Sequence, residues 1–323
     1  MPSRYDPKRP FRHLKKHWRL QRDAPLGAPW SRRLDMLRRG VSYHTYALYP
    51  DERPGEYMGD ATRLGAFFIN DEATRAVLND KYRFSLELGS HLPIPPILGI
   101  LRSGDLETLQ GPLEPWFGRG DLIAKPLHGS RGSGVVRLGA GDPWPVSQAP
   151  LLLTPLVEQA AYARSIAPFS GNTIRVLTLR DADGPFIVRA VHRFGTRETA
   201  PTDNWSQGSL CALVDLQTGA LGRAVKHPRR TGGVLHWVTH HPDTGAAIEG
   251  VVVPHWAEVL TELLHTLEAS PQLVYVGWDI LVTDERFWVL EGNANTEFNA
   301  LQVHGPLLTD ERVKAFYKHH KII

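Results

Sequence analysis

The chain is poor in cysteine: its 323 residues include one, Cys211. A lone thiol makes no internal disulfide, which excludes the disulfide-stapled class of small secreted scaffolds. No run approaches the roughly 20 uninterrupted apolar residues that a helical membrane span needs. The basic N-terminal stretch lacks the apolar segment of a secretory leader, and internal repeats and low-complexity tracts are missing as well. A cytoplasmic protein is the expectation. What is present is ordinary globular composition, 42% hydrophobic and 22% charged. The length suffices for one large domain or two to three smaller ones.

Net charge is small, +3, but it is unevenly placed. Residues 1–40 hold 12 Lys and Arg against three acids, a net of +9, and the remaining residues carry a net of −6. Within this arm Phe11, Leu14 and Trp18 recur at helical spacing, as do Trp30, Leu34 and Leu37, so two short basic helices are expected there. Such helices contact nucleic acid or an anionic membrane surface, or else dock their apolar stripe on the protein. Any polyanion contact is therefore expected through residues 1–40 alone.

Beyond the arm, 41–60 reads as loop. A helix is expected over 71–89, opening at Asn70-Asp71-Glu72 and closing at Gly89. Pro93-Ile-Pro-Pro reads as extended chain leading into a strand, and 103–120 as turn-rich. Strands are expected at 121–125, 134–138, 150–154, 172–180, 185–194, 209–216, 275–283 and 286–291, with helices over 157–166 and from about Pro254 to 269. Strands at short spacing outnumber helices, which makes the fold class α+β.

Two segments carry chemistry. In the first, Lys125 ends an apolar run and precedes Gly129, Ser130, Gly132, Ser133 and Gly134, after which a second apolar run begins. Glycines let backbone amides approach an anion, and the two serines add hydroxyl donors. A plain hairpin uses such glycines too. A P-loop and a Rossmann turn are both excluded, since each requires a helix after the glycines.

The second segment is a pair of apolar strands that contain Asp279 and end in Glu291-Gly-Asn293. A carboxylate inside a strand needs a partner, because burying it unpaired costs several kcal/mol. The partner is either a Mg²⁺ ion, which prefers such oxygen ligands, or an arginine.

Taken together these residues resemble the ATP-grasp superfamily. Asn79-Asp80-Lys81, with Phe84 and Pro93-Ile-Pro-Pro, is similar to the first phosphate-binding lysine and its following strand. Lys125 and the glycines match the second lysine and the flap. Asn172-Thr-Ile-Arg175 and Ala190-Val-His-Arg193, with Asn204, are similar to the pattern of ribosomal-protein glutamate ligases. Finer matches, Gly171-Asn-Thr-Ile-Arg-Val, His241-Pro-Asp-Thr-Gly, Gly277-Trp-Asp and Glu291-Gly-Asn-Ala-Asn, resemble the sugar-transfer-associated subgroup.

The resemblance implies two α+β subdomains clasping ATP, with the chain divided into a short basic helical N-terminal region (1–80), a small subdomain with the flap (81–155) and a catalytic subdomain (156–323). It implies ATP and Mg²⁺, as two ions, with Asp279, Glu291 and Asn293 as metal ligands. Lys81, Lys125 and the flap residues would hold phosphates. Thr154, Leu156, Val157 and Glu158 would meet adenine and ribose, although Pro155 offers no N–H. Arg175, Arg193 and Asn204 would act on the reacting group.

The activity so implied is a carboxylate–amine ligase working through an acyl phosphate, on small-molecule, peptide-linked or sugar-linked substrates. A phosphotransferase or glycan-modifying enzyme needs the same phosphate machinery and is the alternative. A nucleotide-regulated binding module is the third. Elsewhere Cys211 reads as a packed core thiol and Trp278 and Trp288 as packing. His236, His240 and His241 lack the tight spacing of a zinc site. Glu297 and Gln302 read either as facing an acceptor or as surface polar groups.

Overall fold

The structure is a computed structural model that describes Thr45, Leu48 and residues 54–323, except 104, 110–115, 117–119, 129–133 and 232–233. The two basic helices expected within 1–40 lie outside the described residues. So do Gly129, Ser130, Gly132 and Ser133 of the flap.

Two antiparallel sheets form the scaffold. The smaller contains β1 (Gly99–Arg102), β2 (Asp105–Thr108), β3 (Leu122–Pro126), β4 (Val136–Leu138) and β5 (Leu151–Pro155), in the order β2-β1-β5-β3-β4. The larger contains β6 (Ile174–Asp181), β7 (Gly184–Phe194), β8 (Leu210–Val214), β9 (Leu221–Lys226), β10 (His236–Val238), β11 (Tyr275–Val282) and β12 (Phe287–Asn293), in the order β10-β9-β8-β7-β6-β11-β12. Helices α1 (Asp60–Ala66), α2 (Glu72–Leu78) and α3 (Lys81–Leu88) precede the sheets. Helix α4 (Ala161–Ile166) lies between them in sequence, and α5 (Trp256–Ala269), α6 (Phe298–Gln302) and α7 (Glu311–His319) accompany the second.

Every residue of β11 is buried, because both faces of the large sheet are covered. On one face Val259, Leu263 and Leu267 of α5 join Leu78, Phe84 and Trp278 in a continuous core. On the other, Leu177 and Leu179 meet Phe298 of α6 and Val313, Phe316 and Tyr317 of α7. A strand covered on both faces reads as an unbroken apolar run rather than an alternation, and a polar residue within it is conspicuous.

Several elements depart from the sequence expectations. The helix over 71–89 is two helices, because Asp80 turns its carboxylate onto the amides of Tyr82 and Arg83 and caps a fresh start. Lys81 thus opens a helix, and the next strand begins at Gly99. The turn-rich 103–120 contains β2, and the loop assigned to 41–60 gives way to α1 at Asp60. The helix expected from 157 begins at Ala161. Strands β9 and β10 and helices α6 and α7 are additional.

Three backbone bonds join these parts around the site. Lys81 N–H donates to Leu127 O at 3.1 Å, Val289 N–H to Pro93 O at 2.8 Å, and Ala160 N–H to Val282 O at 2.8 Å.

Candidate active site

Register places the charged residues of the large sheet side by side. Asp279 on β11 pairs with Arg175 on β6 and with Glu291 on β12, and Gly277 pairs with Asn293. Arg175 closes on Asp279 as a fork: Nε donates to Oδ1 at 2.5 Å and Nη2 to Oδ2 at 2.9 Å. Arg193, near the end of β7, brings Nη2 within 3.4 Å of the same Oδ1. Burial pushes the Asp279 carboxyl pKa up, but the two guanidiniums outweigh it and hold the group well below the usual carboxylate range. Burial likewise opposes the charge on Arg193, and Asp203 and Asp279 reverse the effect and raise its pKa. Of the two partners open to Asp279 in the sequence, Mg²⁺ or an arginine, the arginine is the one in place.

Two lysines approach from the smaller sheet's side. Lys81 Nζ lies 3.4 Å from Glu291 Oε2, and Asn293 Nδ2 donates to Glu291 Oε1 at 3.2 Å. Lys125, on β3, is half-buried without an ion-pair partner among the described residues. Burial and the neighbouring Lys81 lower its pKa to about 8, against an upward pull from Glu291. At Gly134 φ is +74°, a backbone setting that disfavours a side chain.

These groups line one cavity of about 1090 Å³, which runs past Thr154, Leu156, Val157 and Glu158 at the connection between the sheets. Thr154 is buried and pairs with Ile123 of β3. Leu156 N–H is committed to Asp121 O at 2.8 Å, so only its carbonyl is available to a base. Val157 N–H has no partner among the described residues. Glu158 is largely exposed, 3.9 Å from Arg164.

One cavity residue escapes sequence reasoning. Asp203 Oδ2 accepts from Thr173 N–H at 2.8 Å and from Thr173 Oγ1 at 2.5 Å, and Arg193 Nε stands 3.4 Å away. Arg193 Nη2 also donates to Thr173 Oγ1. In sequence Asp203 belongs to Pro-Thr-Asp-Asn, which reads as a turn. Its neighbour Asn204 caps the following 3-10 turn, with Oδ1 accepting from Ser206 N–H and Oγ.

Other candidates have structural tasks. His241 is buried and bridges Gly195 O and Asp243 N–H, while His240 pairs with Thr239 Oγ1. Among the described residues no three His, Cys, Asp or Glu gather in a form that could hold a metal ion. Burial pushes the Cys211 thiol up to about 12. Trp278 Nε1 donates to Thr178 Oγ1 inside the core. Gln302 is wholly buried and holds the Met58 backbone, whereas Glu297 lines the cavity 3.5 Å from Arg63.

Comparison with known proteins follows this geometry. A family model described as sugar-transfer associated ATP-grasp matches residues 146–316, just over half of the chain. Among solved structures, the ADP complex of purK, an N5-carboxyaminoimidazole ribonucleotide synthetase, is similar with 8% identity and a TM-score of 0.42, over 69% of this chain and 46% of that one. The D-alanine-D-alanine ligase from Coxiella burnetii is similar with 11% identity and a TM-score of 0.42, over 76% and 58% of the two chains. The ATP-grasp ligase PsnB, complexed with a precursor variant, Mg and ADP, has 16% identity and a TM-score of 0.37 over 89% and 71%. The match spans about half the length of the first of these structures. No curated protein matches the sequence.

Proposed function

Because the chain belongs to the sugar-transfer associated ATP-grasp family, we propose that it is an ATP- and Mg²⁺-dependent carboxylate–amine ligase that forms an amide through an acyl phosphate. One observation carries this reading: Lys81, Lys125, Arg175, Arg193, Asp279 and Glu291 converge on a single cavity. Four cations against these two carboxylates suit a polyphosphate, and a transferred phosphoryl group needs positioning and charge stabilisation above all.

Among the described residues Lys125 has no ion-pair partner to surrender, so its ammonium is open to phosphate oxygens. Lys81, steadied by Glu291, contributes the second cation. Arg175 is held on two atoms by Asp279, and Arg193 donates to Thr173 Oγ1 and lies 3.4 Å from Asp203, so both guanidiniums are set before substrate arrives. Preorganised guanidiniums lose little entropy on meeting a phosphoryl group. The Thr154 side chain, the Leu156 carbonyl and the Val157 N–H offer one edge to adenine.

Part of the donor set suits Mg²⁺: Glu291 and Asn293 offer hard oxygens, with the Asn293 amide nitrogen turned to Glu291. Both oxygens of Asp279, in contrast, are held by Arg175 and would join an ion only on its release. When bound, the ion neutralises phosphate oxygens and so raises the electrophilicity of the γ-phosphorus.

Hydroxylamine trapping tests the reading. The enzyme is incubated with ATP, Mg²⁺, hydroxylamine and a mixed carboxylate library, and products are read by mass spectrometry. An ATP-dependent hydroxamate supports the ligase. A product carrying the γ-phosphate on a hydroxyl, with no hydroxamate, moves the assignment to phosphotransfer.

A further inference from the structure

The cavity is electrically uneven. The lysines and arginines stand where a polyphosphate would lie, whereas residues 168–173 and 201–206 form a wall on which Asp203 is the one ionisable side chain. The two oxygens of that carboxylate have different fates. Oδ2 receives both Thr173 donors and faces Arg193 Nε. Oδ1 accepts no hydrogen bond among the described residues and keeps some exposure, on a residue that lines the cavity. The side chain as a whole is 14% exposed.

A fixed, half-satisfied carboxylate at the edge of a phosphate site selects a particular guest. An anion is repelled by Oδ1, and a neutral hydroxyl gains only an ordinary hydrogen bond. A protonated amine gains a charge-assisted one, about twice as strong. From this we infer that Asp203 Oδ1 is the docking point for the acceptor substrate, and that this acceptor is a primary amine bound as its ammonium, which passes a proton to Oδ1 before its nitrogen attacks the acyl carbon and phosphate leaves. The inference rests on the ligase reading for the word acceptor, but the ammonium site itself does not.

The site fits the chemistry on either side of it. Arg193 is shared between Asp203 and Asp279, so an ammonium at Oδ1 lies one guanidinium away from the carboxylates of the reacting centre. The same Thr173 that fixes Asp203 also accepts from Arg193. Acceptor and phosphoryl clamp are therefore positioned by one network.

The test uses three probes of equal length, n-butylammonium, n-butanol and n-butyrate, titrated into the full-length protein in the presence of ADP and Mg²⁺ and followed by saturation-transfer NMR. The wild type should prefer the ammonium to the alcohol by about tenfold or more and should reject the carboxylate at this wall. Asp203→Asn should bring the ammonium-to-alcohol ratio near unity, and Asp203→Glu should restore part of it. The ratio is insensitive to a general loosening of the fold, which would weaken both probes alike.

Absence of ammonium preference in the wild type overturns the inference, and so does an unchanged preference in Asp203→Asn. Should that variant not fold, the wild-type preference and its loss or retention in Asp203→Glu decide the matter. Hydroxamate formation without an Asp203-dependent preference removes this inference and leaves the ligase. An Asp203-dependent preference without hydroxamate does the reverse.

Discussion

Arg175 and Asp279 face each other across neighbouring strands, and the guanidinium takes both carboxylate oxygens, at 2.5 and 2.9 Å. The partnership is unequal, because Asp279 also faces Arg193 at 3.4 Å. Removing the acid strands Arg175 in a buried setting and leaves Arg193 with Asp203 as its one carboxylate. Removing Arg175 leaves the acid with one partner still near.

The two substitutions should therefore differ. Asp279→Ala is expected to cost about 3–5 kcal/mol, the range for a buried pair broken from one side. Arg175→Met should cost clearly less. Urea unfolding with a shared m-value measures both, and equal losses would show that Arg193 does not share the acid.

Lys125 should couple nucleotide affinity to pH. Its pKa of about 8 reflects burial and Lys81, and a bound polyphosphate favours the charged form. Binding above pH 8 must then be accompanied by proton uptake, so affinity should fall as pH rises past 8, by at most about tenfold per unit. Lys125→Arg should flatten the profile, since arginine stays charged. Lys81→Met removes the like charge and should move the onset to higher pH. Calorimetric titration with ADP from pH 7 to 10 reads all three.

Acid stability should depend on a histidine outside the cavity's charged set. His192 is buried, stacked on Phe194 with ring centroids 4.1 Å apart, and paired with the Tyr162 hydroxyl at 2.8 Å through Nε2. Burial brings its pKa down to about 3, and His304 falls to about 4 for the same chief reason. An unfolded histidine titrates near 6.5, so between that value and the lowered ones the unfolded chain binds protons the native one refuses. Stability should thus fall as pH drops from 6.5 toward 4, before the carboxylates titrate. His192→Gln should remove one proton's share of the slope, about 1.4 kcal/mol per unit, in chemical denaturation at fixed pH steps.

How far the sequence reveals this arrangement depends on what surrounds each residue. Asp279 is legible because β11 is buried on both faces, and a lone acid in Val-Gly-Trp-Asp-Ile-Leu-Val contradicts its setting. Glu291 does not follow from the turn alone, whose register would set Leu290 opposite Asp279; a bulge between Asp279 and Ile280 brings Glu291 there instead. The break at Asp80 is hidden because apolar periodicity continues across it, and only the cap geometry reveals two helices. Strands β9 and β10 pair at the edge of the sheet, where Arg223, Lys226 and His236 dilute the alternation that marks a half-buried strand. Helix α7 did carry a signal, Asp310 as cap ahead of Val313, Phe316 and Tyr317. Asp203 carried none, because its role comes from Thr173 and Arg193, 30 and 10 positions away and joined to it only by folding.

Gly277 tests whether β11 tolerates any bulk. It pairs with Asn293, two residues before Asp279, and a Cβ added there would fall 1.6 Å from Thr296 Oγ1 and 2.8 Å from Thr296 Cβ. Thr296 is fully buried, so it cannot swing into solvent, and the chain after Asn293 must move instead. Gly277→Ala should then cost about 1–3 kcal/mol, the usual penalty for overpacking, and should weaken Mg²⁺-dependent nucleotide binding by displacing Asn293. Thr296→Gly removes the obstructing side chain. The double variant should be more stable than the two single losses predict, because residues in contact couple. Thermal unfolding of all four proteins, with ADP titrations in the presence and absence of Mg²⁺, checks both parts. Strictly additive losses would mean that Gly277 is kept for a reason other than the approach of Thr296.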